Sequence, residues 1–160
     1  MAIKKGDTYK NFNLKNHKFE NVNLNEYISK QNVILLFFPF VNTGVCEKEL
    51  CSTRDNMDMY ANLNAKVFAI SVDSPFALKL WNDKFNFGFD LLSDFNKEVS
   101  ELYGVLEENW VPAKWGLKGV AKRSAFVIDK NGIVQYTEVL DDPGKEPNYE
   151  SIKSVLESLK

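Results

Sequence analysis

The sequence predicts an α/β protein, and three observations predict it. Residues 33–38 read Val-Ile-Leu-Leu-Phe-Phe, a continuous apolar run of strand length that suits a central strand covered on both faces. A second core strand follows at 66–72, where Val67, Phe68 and Ile70 are apolar, after a stretch whose apolar residues recur at helical spacing. Asn131-Gly132 then joins segments 122–129 and 133–140, and Asn-Gly is the strongest short hairpin signal.

The remaining elements follow in order. Residues 12–14 and 19–22 flank Asn16-His17 and predict a short N-terminal hairpin, with His17 as a surface residue in its polar turn. After the buried strand, Leu50, Met57 and Ala61 continue from Cys46 at helical spacing. A helix therefore begins between Thr43 and Cys46, and the cysteine heads its buried stripe. Ser74-Pro75 reads as N-cap and first helical residue of a helix carrying Phe76, Leu80, Trp81 and Phe85. Residues 90–92 suit a short strand and 96–103 a helix stopped by Gly104. Asp142-Pro143-Gly144 breaks the chain before a last helix at 148–159.

Composition bounds the function. A chain of 160 residues suits one domain, 1–160, and is long enough to bury a substantial core. At 44% hydrophobic and 26% charged residues with net charge −2, it reads as an ordinary globular chain whose charge gives no footprint for nucleic acid. No apolar run is long enough to span a membrane, and Met-Ala-Ile-Lys-Lys-Gly lacks the apolar core of a signal peptide. A cytoplasmic location is expected, and there Cys46 and Cys51 are expected to be free or catalytic thiols rather than a structural staple. A metal site would need ligands beyond two cysteines and the lone His17, so neither a metal nor a cofactor is expected.

The chemistry concentrates in Phe38-Pro39-Phe40-Val41-Asn42-Thr43-Gly44-Val45-Cys46, where the buried strand gives way to the helix. A thiol in a first helical turn meets unpaired backbone N–H groups and the positive end of the helix dipole, which favour an anion. Thr43 can cap the helix, or donate its hydroxyl to a thiolate or a bound oxygen. Pro39 has no N–H, so it can wall off the sulfur without offering a competing donor.

Pro39, Thr43 and Cys46 together fit Pro-x-x-x-Thr-x-x-Cys, the signature of the peroxiredoxins of the thiol-specific antioxidant and alkyl hydroperoxide reductase family, which this chain resembles. On residue frequencies the triple arises by chance at roughly one position in 10⁴ to 10⁵. Glu49 also matches, as does Arg123, which opens a segment similar to the late strand that carries the family's catalytic arginine. The only other arginine, Arg54, stands in an Arg-Asp pair common in the family, although an ordinary helix-surface ion pair is the favoured reading. The resemblance implies a thioredoxin-like fold with a central mixed sheet flanked by helices and an N-terminal hairpin extension. It covers nearly the whole chain and departs most at 106–122, which is longer and more aromatic than expected. Trp110 and Trp115 there can line a substrate entrance, form a subunit contact or cover the core edge.

Cys51, five residues after Cys46, resembles the resolving thiol of the Q-type (bacterioferritin-comigratory) peroxiredoxins, with the E-type closely related. Without the resemblance it reads as a small, buried helix residue. The activity implied is attack of the Cys46 thiolate on the terminal oxygen of hydrogen peroxide or an organic hydroperoxide. Cys46 becomes a sulfenic acid, which Cys51 resolves as a disulfide and a thioredoxin- or glutaredoxin-like protein recycles in a homodimeric enzyme. A free thiol is already ~3% ionised at pH 7, so full ionisation adds at most ~30-fold in rate. Larger gains need oriented donors, each typically worth ~10² to 10³, a role that falls to Arg123, Thr43 and the first-turn N–H groups. Glu49 either orients an arginine through a bidentate pair or simply suits the helix dipole. Two other classes use the same fold or thiol. A thiol-disulfide oxidoreductase is disfavoured by the missing Cys-x-x-Cys, whereas a redox sensor or chaperone needs the same reactive cysteine.

Overall fold

The computed structural model describes residues 2–110 and 115–160. In chain order its elements are β1 (Asn13–Asn16), β2 (Asn21–Asn23), a 3-10 turn at Leu24–Glu26, β3 (Asn32–Phe37), α1 (Gly44–Asp55), α2 (Met57–Asn62), β4 (Ala65–Ser71) and α3 (Pro75–Phe85). They continue with β5 (Asp90–Ser93), α4 (Glu98–Leu102), β6 (Leu106–Glu107), β7 (Val120–Ala121), β8 (Ser124–Ile128), β9 (Val134–Val139) and α5 (Tyr149–Ser158). Seven strands form one mixed sheet in the order β2-β1-β5-β4-β3-β8-β9, and β6 pairs with β7 apart from it. Strands β3, β4 and β5 run parallel, while β8 lies antiparallel to β3.

Both faces of this sheet are covered, which explains the unbroken apolar character of β3. Ile34 and Leu36 pack on one side with Leu50 of α1, Trp81 of α3 and Ile152 of α5. Val33, Leu35 and Phe37 point to the opposite side, toward Val99 of α4 and the nearby Tyr103. The thiol of Cys46 belongs to the first of these clusters. Register then places the late strand's first residues beside the thiol loop. Phe37 pairs with Ser124, so Arg123 emerges at the same sheet end as Phe38 and Pro39. Among the described residues, no helix is long and apolar enough to cross a membrane.

Several local expectations change. The stripe from Cys46 does reach Met57, which packs half-buried against the same core, but on a second helix, because α1 breaks at Asn56. In α2, Tyr60 is buried and Ala61 is exposed. Helix α3 starts as read, with the Ser74 hydroxyl accepting from the Ala77 N–H at 3.2 Å. Its buried face, however, is Leu78 and Trp81, leaving Phe76 and Leu80 largely in solvent. The β1–β2 hairpin forms, yet His17 is buried rather than on the surface: its Nδ1 accepts the Leu91 N–H at 3.2 Å. Burial also lowers the His17 pKa, opposed by the nearby Asp90. The aromatic segment also carries the β6–β7 ladder, to which no sequence signal points, and residues 111–114 lie outside the described residues.

Candidate active site

Strand β3 ends at Phe37, and the chain must turn before α1 can start. Val41 is held by its N–H donating to the Asp73 carboxylate at 3.0 Å, and Asn42 takes a left-handed conformation at φ 61°. Asparagine tolerates that region better than most residues, which suits it to this corner. Thr43 then occupies the N-cap with extended backbone. Its hydroxyl makes no cap bond to the helix; it donates instead to the Phe40 carbonyl at 2.9 Å, pinning the loop ahead of the thiol. Cys46 is the third residue of α1, inside the first turn, and is 1% exposed.

Helix α1 buries Cys46, Glu49, Leu50 and Thr53, an i, i+3, i+4, i+7 stripe that carries two polar side chains into the core. Glu49 is fully buried, and its Oε1 accepts from Arg123 Nη1 at 2.6 Å. The same guanidinium donates through Nη2 to Cys46 Sγ at 3.2 Å and to the Pro143 carbonyl at 3.0 Å. Arg123 therefore ties three segments that are distant in sequence. The Glu49 contact uses one carboxylate oxygen, so the pair is not bidentate; among the described residues, Glu49 Oε2 and Arg123 Nε have no hydrogen-bond partner. Burial pushes the Glu49 carboxyl up to about 7 despite the pull of the guanidinium. For Arg123, burial works against the charge, but Glu49 and Cys46 outweigh it and hold the guanidinium above its ordinary value.

Cys51 lies on the same unbroken helix, half-buried and unpaired. Five residues of α-helix separate two Cα atoms by about 8 to 9 Å, beyond the ~7 Å limit for a disulfide. Burial raises the Cys51 pKa, with Arg54 pulling it down. Arg54 itself pairs with Asp55 at 3.0 Å and donates to the Phe85 carbonyl at 2.8 Å, tying the end of α1 to the end of α3.

Above the thiol opens a cavity of about 190 Å³. Pro39, Thr43, Gly44, Val45, Cys46, Arg123, Pro143 and Gly144 line it together with the buried Trp110 and the exposed Trp115. A larger cavity of about 460 Å³ lies beside Pro75, Phe76 and Phe95, but it contains no thiol and no arginine. Chemistry, not size, selects the smaller one. Sequence reasoning missed Pro143, read only as a chain break, because a backbone acceptor leaves no signature in residue type. Among the described residues, no three His, Cys, Asp or Glu side chains are placed to hold a metal ion.

Residues 5–137 match the model of the AhpC/TSA family. The chain belongs to the AhpC/TSA family. Alkyl hydroperoxide reductase E of Mycobacterium bovis is 37% identical over 142 residues, spanning 88% of this chain and 87% of that one. The crystal structure of peroxidoxin BcpB from Mycobacterium tuberculosis superposes with TM-score 0.86 at 25% identity, covering 99% of both chains. A PrxQ mutant structure from Xylella fastidiosa also reaches 0.86, covering 99% of this chain and 98% of its own, and at 23% identity speaks for the fold alone. The fold of this AhpC/TSA chain is thus the thioredoxin-like one of the peroxiredoxins, and the similarity to alkyl hydroperoxide reductase E and peroxidoxin BcpB matches a Q- or E-type peroxiredoxin. In this family setting, the Arg123, Glu49 and Cys46 cluster is the feature to explain.

Proposed function

We propose that the protein is a thiol-dependent peroxidase reducing hydrogen peroxide and organic hydroperoxides through Cys46. The observation that carries the reading is the buried guanidinium of Arg123, fixed by Glu49 and donating to Cys46 Sγ at 3.2 Å. In the step assigned here, the Cys46 thiolate attacks the terminal peroxide oxygen, an S–O bond forms and the O–O bond breaks. Sulfur is oxidised to sulfenic acid, the peroxide is reduced, and the departing oxygen takes a proton to leave as water or an alcohol. Charge moves from sulfur onto oxygen during this step, so a donor fork spanning both positions stabilises the transition state more than the ground state. A planar guanidinium that stays charged fits this task better than a single ammonium.

The other roles follow from position. First-turn N–H groups of α1 favour the anion, and Pro39 covers the sulfur without a competing N–H. The Thr43 hydroxyl, spent on Phe40 in the resting site, turns to the peroxide oxygen when substrate enters. Glu49 acts through Arg123 as a positioning residue. Cys51 serves as the resolving thiol, and because α1 is continuous, the first turns must unwind before a 46 to 51 disulfide forms. A thioredoxin-like protein then reduces that disulfide, and a reducing compartment such as the cytoplasm keeps both thiols available. One domain, 1–160, carries these roles, and two copies form a homodimer through loops beside the site. Light scattering at micromolar concentration should give the dimer mass; a monomer would refute that last reading.

The experiment is Cys46→Ser, nearly isosteric at a buried position. Loss of peroxide turnover with unchanged thermal stability is expected; full turnover would overturn the proposal.

A further inference from the structure

We propose that Trp110 and Trp115 select the substrate, receiving the organic group of a hydroperoxide so that compact aryl or branched alkyl hydroperoxides are preferred over hydrogen peroxide. This rests on the peroxidase reading above and assigns the apolar lining of the same cavity.

The cavity has two chemically distinct parts. Its base holds every polar group that a peroxide oxygen needs: Cys46, Arg123 and Thr43. Trp110, Trp115 and Pro143 add mainly apolar surface to the lining, the indole N–H groups being the polar atoms their side chains carry. Hydrogen peroxide has only two heavy atoms and is consumed entirely by the base, so the apolar surface can add nothing to its binding. An organic hydroperoxide places its O–O group at the base and must leave its carbon group against the indoles. The volume suits such a group, since about 150 Å³ is enough for benzene in an apolar cavity and this one offers about 190 Å³.

The two indoles are also arranged as a supported surface. Trp110 is 8% exposed and is buttressed edge-on by Phe40, at 5.4 Å between ring centroids and 87° between planes. Trp115 tilts over Trp110 at 5.7 Å and 51°. Trp115 remains 59% exposed, so core packing does not account for its placement. A large apolar side chain left in water at the mouth of a reactive site gains from being covered, and a bound aryl group covers it. Binding far from the reacting atoms also holds the peroxide in line with Sγ, which raises the rate as well as the affinity.

The readout is the ratio of kcat/KM for cumene hydroperoxide to that for hydrogen peroxide, measured by stopped flow within one protein. Losing on the order of 60 Å² of apolar contact at ~25 cal/mol per Å² corresponds to about a tenfold loss. Wild type should favour cumene hydroperoxide, and Trp115→Ala should lower the ratio about tenfold. Trp110→Leu, which keeps apolar bulk in the buried position, should lower it by several fold. A ratio unchanged within twofold in both variants, or a wild type that favours hydrogen peroxide, overturns the inference while leaving the peroxidase reading in place. An unchanged ratio accompanied by loss of the dimer in Trp115→Ala would overturn it in favour of a subunit contact. A wild type inactive toward both peroxides would instead remove the reading on which the inference rests.

Discussion

Replacing Arg123 with lysine keeps a positive charge and removes the fork. In the folded protein one guanidinium reaches Glu49 Oε1 through Nη1 at 2.6 Å, and Cys46 Sγ and the Pro143 carbonyl through Nη2 at 3.2 and 3.0 Å. A lysine has a single nitrogen and cannot occupy both positions. Because Glu49 is fully buried, the ammonium's strongest available partner is that carboxylate, and the sulfur loses its donor. Loss of one preorganised donor is typically worth ~10² to 10³ in rate, or about 3 to 4 kcal/mol of transition-state stabilisation. Arg123→Lys should therefore lower kcat/KM for hydroperoxide by at least about 10²-fold in a stopped-flow assay. Its thermal midpoint should fall less than that of Arg123→Ala, which strands the buried carboxyl. Combining Arg123→Lys with Glu49→Gln should give a non-additive loss, since the two side chains touch. A rate for Arg123→Lys within threefold of wild type would refute the reasoning.

Three further outcomes follow from the same groups. Glu49, raised from its ordinary value of 4.5 to about 7, holds a proton in the native state that the unfolded chain has already lost. Its contribution to stability therefore falls as pH rises through that window, and Glu49→Gln should flatten this slope in denaturant titrations read from pH 4 to 8. His17 behaves in the opposite sense. Its folded pKa lies below the ordinary 6.5, so stability is fully present above 6.5 and is lost as pH falls from there toward the folded value. NMR titration of this single histidine should show the depressed pKa, and a value at or above 6.5 would contradict the burial of its Nδ1 against Leu91. Cys51→Ser should reduce one equivalent of peroxide rapidly, fail to recycle with a thioredoxin-like reductant and over-oxidise to sulfinic acid by mass spectrometry; sustained turnover would make the mechanism a one-cysteine one.

Much of this arrangement is legible in the residues. The apolar run at 33–38 marks a strand covered on both sides, and the spacing of Pro39, Thr43 and Cys46 marks the turn into a first helical turn. Arg123 stands out because the chain otherwise uses lysine almost throughout. What escapes depends on tertiary context. Asn56 interrupts the helix without a proline or glycine to announce it, so the apolar spacing that still reaches the core at Met57 misleads at Ala61. Phe76 and Leu80 lie on an apolar helix stripe and yet face outward, since the sheet is already served by Leu78 and Trp81. His17 sits in a polar turn whose burial comes from β5, far along the chain. The hydroxyl of Thr43 had three plausible partners in sequence, and loop geometry chose the Phe40 carbonyl. Glu49 likewise could have served the helix dipole, and only the fold brings it onto Arg123.

The central claim is that Cys46 is the atom peroxide oxidises, and single-turnover oxidation followed by mass spectrometry tests it most directly. Reduced protein is mixed with one equivalent of hydroperoxide, trapped within milliseconds by a sulfenic-acid reagent, and mapped without reduction. The expected result is a sulfenic adduct confined to Cys46 at early times, replaced later by a 46 to 51 disulfide as peroxide disappears stoichiometrically. Peroxide consumption with Cys46 left as a free thiol, or first oxidation at Cys51, would contradict the account.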